Sequence, residues 1–317
     1  MSPPLIVLGV SRSGTTLLRV VLDRSPGIAI PDESFFVPLL ARRQGRTLDV
    51  ERFLDDVARI PTIRDWGLCS GDVAPRLEAG MPTGDAIAAI FKAYADRAGK
   101  PRWGDKTPMY MRHLPLLERL FPDARYVHLL RDGRDAALSF LEMPRGTFTR
   151  TWAHPRTAGR FACLWRKEVS AARALGRSVG TDRFHEVRYE ALVSRPEHVV
   201  RETCAFAEIP FDPAMLDYAG SVDVSAKPHQ QRLLRPPTTG VRSWREDMSA
   251  ADTAAFERVA GDLLEELGYE VVSSDRGGMS AALAKGAYGA RLAAWNASAS
   301  AVQRSPLWRR RHPRLAL

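Results

Sequence analysis

A glycine-containing loop directly follows a short apolar segment near the start of the chain. Residues 5–8 are all apolar and bulky, a run typical of a strand buried in a parallel sheet. The loop from Gly9 to Gly14 has P-loop spacing, and apolar residues recur at helical spacing after Thr15. In such a strand–loop–helix unit, backbone N–H groups and the helix N-terminus point at a bound phosphate. We therefore expect an α/β protein with an anion site at this loop.

The loop lacks the lysine that a P-loop nucleoside triphosphatase places after its second glycine. Thr15 and Thr16 occupy the Lys-Ser/Thr positions, and Arg12 supplies a cation inside the loop instead. Such a loop can hold a terminal anionic group, but the usual Mg²⁺–triphosphate apparatus is missing. A P-loop-type nucleotide-dependent kinase acting on a small molecule is the alternative function. An ordinary glycine turn before a helix is the alternative structure.

A second pair of cations follows the other strong strand pattern of the chain. Arg131 and Arg134 come directly after the apolar run at 126–130, and Ser139 lies on the helix predicted next. The carboxyl ends of parallel strands meet at one edge of a sheet, where ligands bind. The sequence therefore predicts a second phosphate site beside the first. The alternative is that neighbouring aspartates pair with these arginines on the surface.

Strands alternate with helices along the chain, which predicts a mostly parallel sheet with helices on both faces. Further extended segments are expected at residues 101–106 and 184–189. Helices are expected at residues 33–40, 50–60, 82–98, 109–120, 135–142, 155–175, 196–207 and 251–267. Thr83 is expected to cap the helix at 82–98. Residues 220–245 lack periodicity and are expected to form a long functional loop.

The two anion motifs together resemble those of the sulfotransferases that use 3′-phosphoadenosine 5′-phosphosulfate (PAPS). Gly9 to Leu18 is similar to their 5′-phosphosulfate loop, and Tyr126 to Asp135 with Ser139 is similar to their 3′-phosphate motif. The nearest branch is that of the tyrosylprotein sulfotransferases and their bacterial relatives. The resemblance spans roughly residues 4–270. It implies a P-loop-type fold, PAPS as donor, adenosine 3′,5′-bisphosphate (PAP) as product and no metal.

The resemblance also implies a set of nucleotide contacts. They are Arg12, Ser13, Gly14, Thr15, Thr16, Arg131, Ser139, Tyr189, Arg242, Trp244 and Arg245. Tyr189 would contact the adenosine portion, with an ordinary strand-end aromatic as the alternative. The segment 242–245 would close over the nucleotide, although its spacing after Gly240 is one residue shorter than the family pattern.

Sulfuryl transfer to a hydroxyl needs a base for the acceptor proton. Many cytosolic sulfotransferases have a histidine after a Lys-Thr pair, but this chain has Pro108 at that position, which cannot accept a proton. In the tyrosylprotein branch the base is a glutamate twenty-one residues after the loop arginine. Counting from Arg12 leads to Glu33, with Asp32 as the second candidate and His113 as a weaker third.

The transferring group also needs positive charge nearby. Lys106 matches the lysine that the family places near the sulfonate, so the resemblance implies that Lys106 and Arg12 stabilise the transferring group. Asp105 would orient Lys106. The structural alternatives are that Glu33 is a charge at a helix N-terminus and that Lys106 is an exposed surface lysine.

The formal charge of +9 is concentrated at the C-terminus. Eight basic and no acidic residues follow Asp275, which leaves a formal charge of +1 for residues 1–275. A nearly neutral body argues against nucleic-acid binding. We expect a sulfotransferase domain at 1–275 and a basic amphipathic tail at 276–317. Contact of residues 280–314 with an anionic membrane is one interpretation of the tail. Packing on the body or in a homodimer is a second, and a solvated, partly ordered tail is a third.

The chain has only three cysteines, no basic segment typical of a signal peptide at its start and no apolar run long enough to span a membrane. We therefore expect a cytoplasmic enzyme, membrane-associated if the tail binds lipid. A non-catalytic nucleotide-binding or membrane-binding module is a further alternative. The sequence leaves the hydroxyl acceptor open among a metabolite, a glycan, a lipid and a peptide tyrosine.

Overall fold

The computed structural model describes residues 2–143, 155–218, 243–273 and 278–304. Within these ranges one parallel sheet has the strand order β2-β1-β3-β4. Its strands are β1 (Leu5–Leu8), β2 (Gly104–Asp105), β3 (Arg125–Leu130) and β4 (Phe184–Arg188). The α/β architecture with a parallel sheet, expected from the sequence, is confirmed.

Helices flank this sheet throughout the described ranges. They are α1 (Thr15–Asp23), α2 (Val37–Gln44), α3 (Val50–Arg59), α4 (Pro61–Asp65), α5 (Ser70–Val73), α6 (Thr83–Arg97), α7 (Leu114–Leu120), α8 (Gly133–Leu141), α9 (Ala158–Val179), α10 (Tyr189–Ser194), α11 (Pro196–Ala207), α12 (Trp244–Asp247), α13 (Ala250–Glu266) and α14 (Gly278–Arg304). Short 3₁₀ helices lie at Ala74–Arg76, Pro108–Arg112 and Pro213–Leu216.

The strand order brings the loops after β1 and β3 side by side. β1 pairs with β3 in register, with Leu8 opposite His128, and β3 pairs with β4, with Leu130 opposite Arg188. All four strands are parallel, so their carboxyl ends share one edge of the sheet. The glycine loop after β1 and the arginine turn after β3 therefore open onto the same edge.

The residues of β1 alternate between the two faces of the sheet, as expected for a strand. Ile6 and Leu8 pack with helices α2, α3, α6 and α7, whereas Leu5 and Val7 pack with α1 and α11. All four side chains are buried. The prediction of helices on both faces is thus confirmed, and burial on both sides explains why the strand is continuously apolar.

A third apolar cluster lies beyond the sheet edge and is formed by α8, α9 and α13. Gly133 is required there, because a Cβ at that position would lie 2.4 Å from the Phe256 ring and 2.7 Å from the Trp165 ring. Tyr288 of α14 is buried in the same cluster, so part of the basic tail packs on the body. The domain boundary at 275 and membrane contact through 280–314 stay predictions.

No helix in the described ranges is both long and apolar enough to cross a membrane. The predicted long loop at 220–245 falls almost entirely outside those ranges, as does the arginine-rich end at 305–317.

Three local predictions were wrong in detail. The helix expected from residue 33 begins only at Val37. The helix expected at 109–120 is a 3₁₀ turn followed by α7, which starts at Leu114. Thr83 does not cap α6 through its side chain, because its hydroxyl donates to the Gly45 carbonyl oxygen at 3.1 Å.

Candidate active site

The loop after β1 is tightly folded. Arg12 and Gly14 both have positive φ, 73° and 92°, and the Ser13 N–H donates to the Val10 carbonyl oxygen at 3.0 Å. Only glycine fits at position 14, because a Cβ there would lie 2.4 Å from the Tyr189 ring. An arginine rarely adopts a positive φ, and such strained backbone clusters at functional sites. The loop therefore has the compact turned form that an anion-binding loop requires.

Side chains connect this loop to the arginine turn after β3. The Arg12 Nε donates to Ser139 Oγ on α8 at 3.0 Å, and the Arg131 guanidinium donates to the Arg12 carbonyl oxygen at 3.0 Å. The sequence placed these residues at one site, and the structure brings them into direct contact.

Two polar atoms at this junction have no hydrogen-bond partner among the described residues. They are the hydroxyl of Ser13 and the Nε of Arg131, and both atoms are buried. A buried donor without a partner costs about 1–3 kcal/mol. Their position between the two predicted phosphate sites fits an anionic ligand that would supply the missing acceptor atoms.

Tyr189 begins α10 and lies beside the same junction. Its ring packs against Gly14 on one side, and the Arg131 guanidinium carbon lies 4.4 Å from the ring centroid. Tyr189 is thus brought to the predicted nucleotide site. Its contact with adenosine stays a prediction.

Arg134 was expected at the second anion site, and the structure corrects this interpretation. Its buried guanidinium contacts Asp132 at 2.7 Å and Glu257 at 2.5 Å. The Trp244 ring covers it, with the guanidinium carbon 3.5 Å from the ring centroid. Two carboxylates already satisfy Arg134, so its contacts are structural and Arg131 is the cation of this turn that remains for a ligand.

The closing segment predicted at 242–245 has other contacts in this structure. The Trp244 side chain is buried on Arg134, and the backbone N–H of Trp244 donates to the Asp135 carboxylate at 2.8 Å. Arg245 is more than half exposed and pairs with Glu270. Arg242 lies outside the described residues. Nucleotide contact by these residues stays a prediction.

Glu33 and Lys106 form an ion pair next to the glycine loop. The Lys106 Nζ lies 2.6 Å from Glu33 Oε1 and 3.3 Å from the Thr16 hydroxyl at the start of α1. Lys106 is 1% exposed and Glu33 is 21% exposed. Lys106 is therefore not an exposed surface lysine, and Glu33 does not lie in a helix.

Burial lowers the pKa of Lys106, and the neighbouring Glu33 carboxylate opposes that shift. The Glu33 carboxylate therefore favours the charged form of this buried lysine. This arrangement places a partly exposed carboxylate, a cation and the phosphate-loop helix in one chain of contacts.

The other two candidate bases are less favourably placed. Asp32 pairs with Arg19, with 3.1 Å between Asp32 Oδ1 and the Arg19 guanidinium. His113 lies at the turn before α7, and burial lowers its pKa. Glu33 contacts Lys106 directly, at 2.6 Å, so the geometry favours Glu33.

Ser34 fixes the segment that carries Glu33 against the segment that carries Lys106. The Ser34 N–H donates to the Thr107 hydroxyl at 2.9 Å, and the Ser34 hydroxyl donates to Asp105 Oδ1 at 2.6 Å. The Tyr110 hydroxyl lies 2.6 Å from Ser34 Oγ and accepts from the Val37 N–H at 3.1 Å. Sequence reasoning missed Ser34 and Tyr110, whose only signal was their position beside the two motifs.

Burial raises the pKa of Asp105 from 3.8 to about 7, although hydrogen bonds from Ser34 and Thr107 and the Lys106 charge oppose the shift. The folded state then binds the proton more tightly than the unfolded chain. Asp105 should therefore lower the free energy of unfolding as pH rises from about 4 to about 7.

We expect Asp105→Asn to remove this part of the pH dependence, because asparagine keeps a hydrogen-bond acceptor for Ser34 and does not ionise. Urea unfolding at pH 5 and pH 8 measures it. The variant should gain stability relative to the wild type at pH 8. An equal gain or loss at both pH values would show that Asp105 does not titrate in this range.

Within the described ranges no group of three or more His, Cys, Asp or Glu side chains is arranged to hold a metal ion.

Known proteins resemble this chain in sequence and in fold. Residues 3–213 match the model of a family described as the sulfotransferase family. A protein-tyrosine sulfotransferase A of Caenorhabditis elegans is 28% identical over 68% of this chain and 53% of its own length. The nodulation protein NoeE of Sinorhizobium fredii is 29% identical over 84% of this chain and 66% of its own. The chain thus spans about half to two thirds of these relatives.

Two solved structures have the same fold. The sulfotransferase domain from the Synechococcus PCC 7002 olefin synthase is 26% identical, with a TM-score of 0.59, over 86% of this chain and 98% of that one. The sulfotransferase domain from the curacin biosynthetic pathway is 21% identical, with a TM-score of 0.57, over 86% and 99%. The match to the family model covers more than half of the chain, which therefore belongs to the sulfotransferase family.

Proposed function

We propose that the protein transfers the sulfuryl group of PAPS to a hydroxyl acceptor and releases PAP. The observation that carries this proposal is the contact chain from Glu33 through Lys106 to Thr16. This chain of contacts connects the Glu33 carboxylate, which can accept a proton, with the glycine loop, which has the form of an anion-binding loop. Family membership supports the same reaction.

Donor binding is assigned to the glycine loop and the turn after β3. Arg12, Ser13, Gly14, Thr15 and Thr16 would hold the 5′-phosphosulfate, because backbone N–H groups at a helix N-terminus favour negative charge. Arg131 and Ser139 would hold the 3′-phosphate. The Ser13 hydroxyl and Arg131 Nε, which lack a hydrogen-bond partner within the described ranges, support this assignment. Tyr189 would lie against the nucleotide, and 242–245 would close over it.

In the proposed reaction the acceptor hydroxyl gives its proton to Glu33. The acceptor oxygen forms a bond to sulfur as the bond between sulfur and the 5′-phosphate oxygen breaks, and PAP leaves with the electron pair. Lys106 and Arg12 would stabilise the charge on the transferring group and the departing phosphate. Glu33 would act as a carboxylate, because only that form can accept the proton.

The kinase alternative is less well supported. Thr15 stands where a P-loop kinase has its phosphate-binding lysine, and the nearby buried Lys106 is instead paired with Glu33.

The acceptor is a hydroxyl compound under this proposal. Relatives named protein-tyrosine sulfotransferase make peptide tyrosine one candidate, alongside a metabolite, a glycan and a lipid.

A mass-spectrometric search for products that carry an added SO₃ tests the proposal. The protein is incubated with PAPS and a panel of phenols, alcohols, sugars and tyrosine peptides, with a parallel reaction that contains ATP and Mg²⁺. The proposal predicts sulfated product and PAP in the first reaction. Phosphorylated product in the second, with none in the first, would establish the kinase alternative instead.

A further inference from the structure

Helix α1 carries three polar side chains along one face. Thr16, Arg19 and Asp23 stand three and four residues apart, a spacing that places side chains one above the other on a helix. The Thr16 hydroxyl lies 3.3 Å from the Lys106 ammonium. The proposed reaction therefore uses the first of these residues, but not Arg19 or Asp23.

Arg19 and Asp23 hold the backbone of Ile30 from both sides. The Arg19 guanidinium donates to the Ile30 carbonyl oxygen at 3.1 Å, and the Ile30 N–H donates to Asp23 Oδ1 at 2.8 Å. Ile30 is fully buried. Ile30 therefore cannot move relative to α1 without losing a hydrogen bond between its backbone and a side chain of the helix.

Arg19 makes a second contact two residues further along the chain. The other terminal nitrogen of its guanidinium lies 3.1 Å from Asp32 Oδ1. One planar guanidinium thus bridges a carbonyl oxygen and a carboxylate, a geometry that suits arginine better than the point charge of a lysine. The Arg19 side chain is only 12% exposed, so solvent and salt screen its contacts less than those of a surface arginine.

Glu33 lies between two anchored neighbours. Arg19 ties Asp32 to α1, and the Ser34 hydroxyl donates to Asp105 of β2 at 2.6 Å. Consecutive Cα atoms are about 3.8 Å apart, so a displacement of either neighbour also displaces the Glu33 backbone. The position of Glu33 therefore depends on both anchors, one on the helix that follows the glycine loop and one on β2.

The charges of Arg19 and Asp32 also act on Lys106. Burial is the largest cause that lowers the pKa of Lys106, and the Glu33 carboxylate opposes it. The Arg19 charge lowers this pKa further, and the Asp32 charge raises it. The Arg19–Asp32 pair therefore lies close enough to the Glu33–Lys106 pair for the four charges to interact.

We propose that Arg19 is a positioning residue for Glu33. By holding Ile30 and Asp32 against the helix that follows the glycine loop, Arg19 sets the place of the Glu33 carboxylate relative to the transferring group. This inference rests on the proposed function for the role of Glu33. A misplacement of about 1 Å at a reacting group can slow an enzyme by about 10²-fold.

Single-turnover kinetics with saturating PAPS test the inference on four proteins: the wild type, Arg19→Met, Glu33→Gln and the double variant. Methionine keeps the apolar stem but donates no hydrogen bond. Arg19→Met alone should lower the rate by about 10- to 100-fold and change PAP affinity by less than about threefold. In the Glu33→Gln background the same change should lower the rate by less than about threefold, because the group that Arg19 positions is already absent.

Arg19→Lys keeps the charge and one hydrogen bond, so it should be slowed less than Arg19→Met. If Arg19→Met fails to fold, Arg19→Lys carries the same comparison with Glu33→Gln. Arg24→Met is the matched control, because Arg24 lies at the C-terminal end of α1 and donates to the Ala214 carbonyl oxygen at 3.0 Å. It should leave the rate unchanged.

The inference is overturned if Arg19→Met reacts at the wild-type rate, or if its loss is as large in the Glu33→Gln background as in the wild type. Arg19 would then support the fold or the donor loop and not Glu33. A loss of PAP affinity as large as the loss of rate would overturn it as well. In each case sulfated product from the wild type leaves the proposed function intact. No sulfated product from the wild type would overturn the proposed function, and this inference with it.

Discussion

Replacing Glu33 with glutamine is expected to lower kcat for sulfuryl transfer by about 10²–10⁴, the usual contribution of a general base. Glutamine keeps an oxygen that can accept from Lys106 Nζ, which lies 2.6 Å from the Glu33 carboxylate. Alanine would leave a buried ammonium without its partner, a change that typically costs about 3–5 kcal/mol. The glutamine variant therefore separates the chemical role of Glu33 from its structural role.

Single-turnover kinetics with saturating PAPS measure this effect, and calorimetry measures PAP binding to the same variant. PAP affinity should change by less than about threefold, since Glu33 contacts Lys106 and not the loop. Glu197→Gln is a suitable control, because Glu197 forms an exposed pair with Arg201 on α11. Turnover of Glu33→Gln at the wild-type rate would remove Glu33 as the base, and Asp32 would then be the next variant to make.

Replacing Arg131 with alanine is expected to weaken PAP binding by about 10- to 100-fold, the effect of losing a hydrogen bond to a charged group. The Arg131 guanidinium lies on Tyr189 and donates to the Arg12 carbonyl oxygen, and its Nε has no hydrogen-bond partner in the part of the chain that the structure describes. The loss should be specific to the 3′-phosphate. Affinity for adenosine 5′-phosphate, which lacks that group, should fall much less.

Calorimetric titration of the wild type and the variant with both nucleotides gives the coupling between Arg131 and the 3′-phosphate. Arg201→Ala is the matched control, because Arg201 is an exposed arginine that also lies over an aromatic ring, that of Phe211. An equal loss for both nucleotides would mean that Arg131 supports the loop in general. Unchanged PAP affinity would remove the 3′-phosphate assignment altogether.

Much of the fold was predictable because its determinants are local. The apolar run at β1 and the glycine spacing after it identify a strand, a turn and a helix without reference to any other part of the chain. The alternation of strands and helices then limits the sheet to a parallel arrangement. The resemblance to sulfotransferases also singled out Glu33 and Lys106 as candidates, and the position of Arg131 directly after β3 singled out that residue; their roles stay predictions.

The remaining features depend on contacts between distant segments. The pattern at residues 33–40 predicts a helix, but Ser34 exchanges hydrogen bonds with residues more than seventy positions away, which holds its segment out of the helix. Arg134 has the sequence context of an anion ligand, yet Glu257, on α13, satisfies its guanidinium. Neither partner can be identified from spacing alone, because burial and long-range pairing decide both outcomes.

The identity of the transferred group decides between sulfuryl transfer from PAPS and phosphoryl transfer from ATP. Two reactions each contain PAPS, ATP and an acceptor that gave a sulfated product in the mass-spectrometric search. The first also contains a chelator of divalent cations, and the second contains Mg²⁺ instead of the chelator. If the protein transfers the sulfuryl group, both reactions should give sulfated acceptor and an equal amount of PAP. The Glu33→Gln variant should form this product about 10²–10⁴ times more slowly. Phosphorylated acceptor that forms only with Mg²⁺, with PAPS left intact, would contradict sulfuryl transfer.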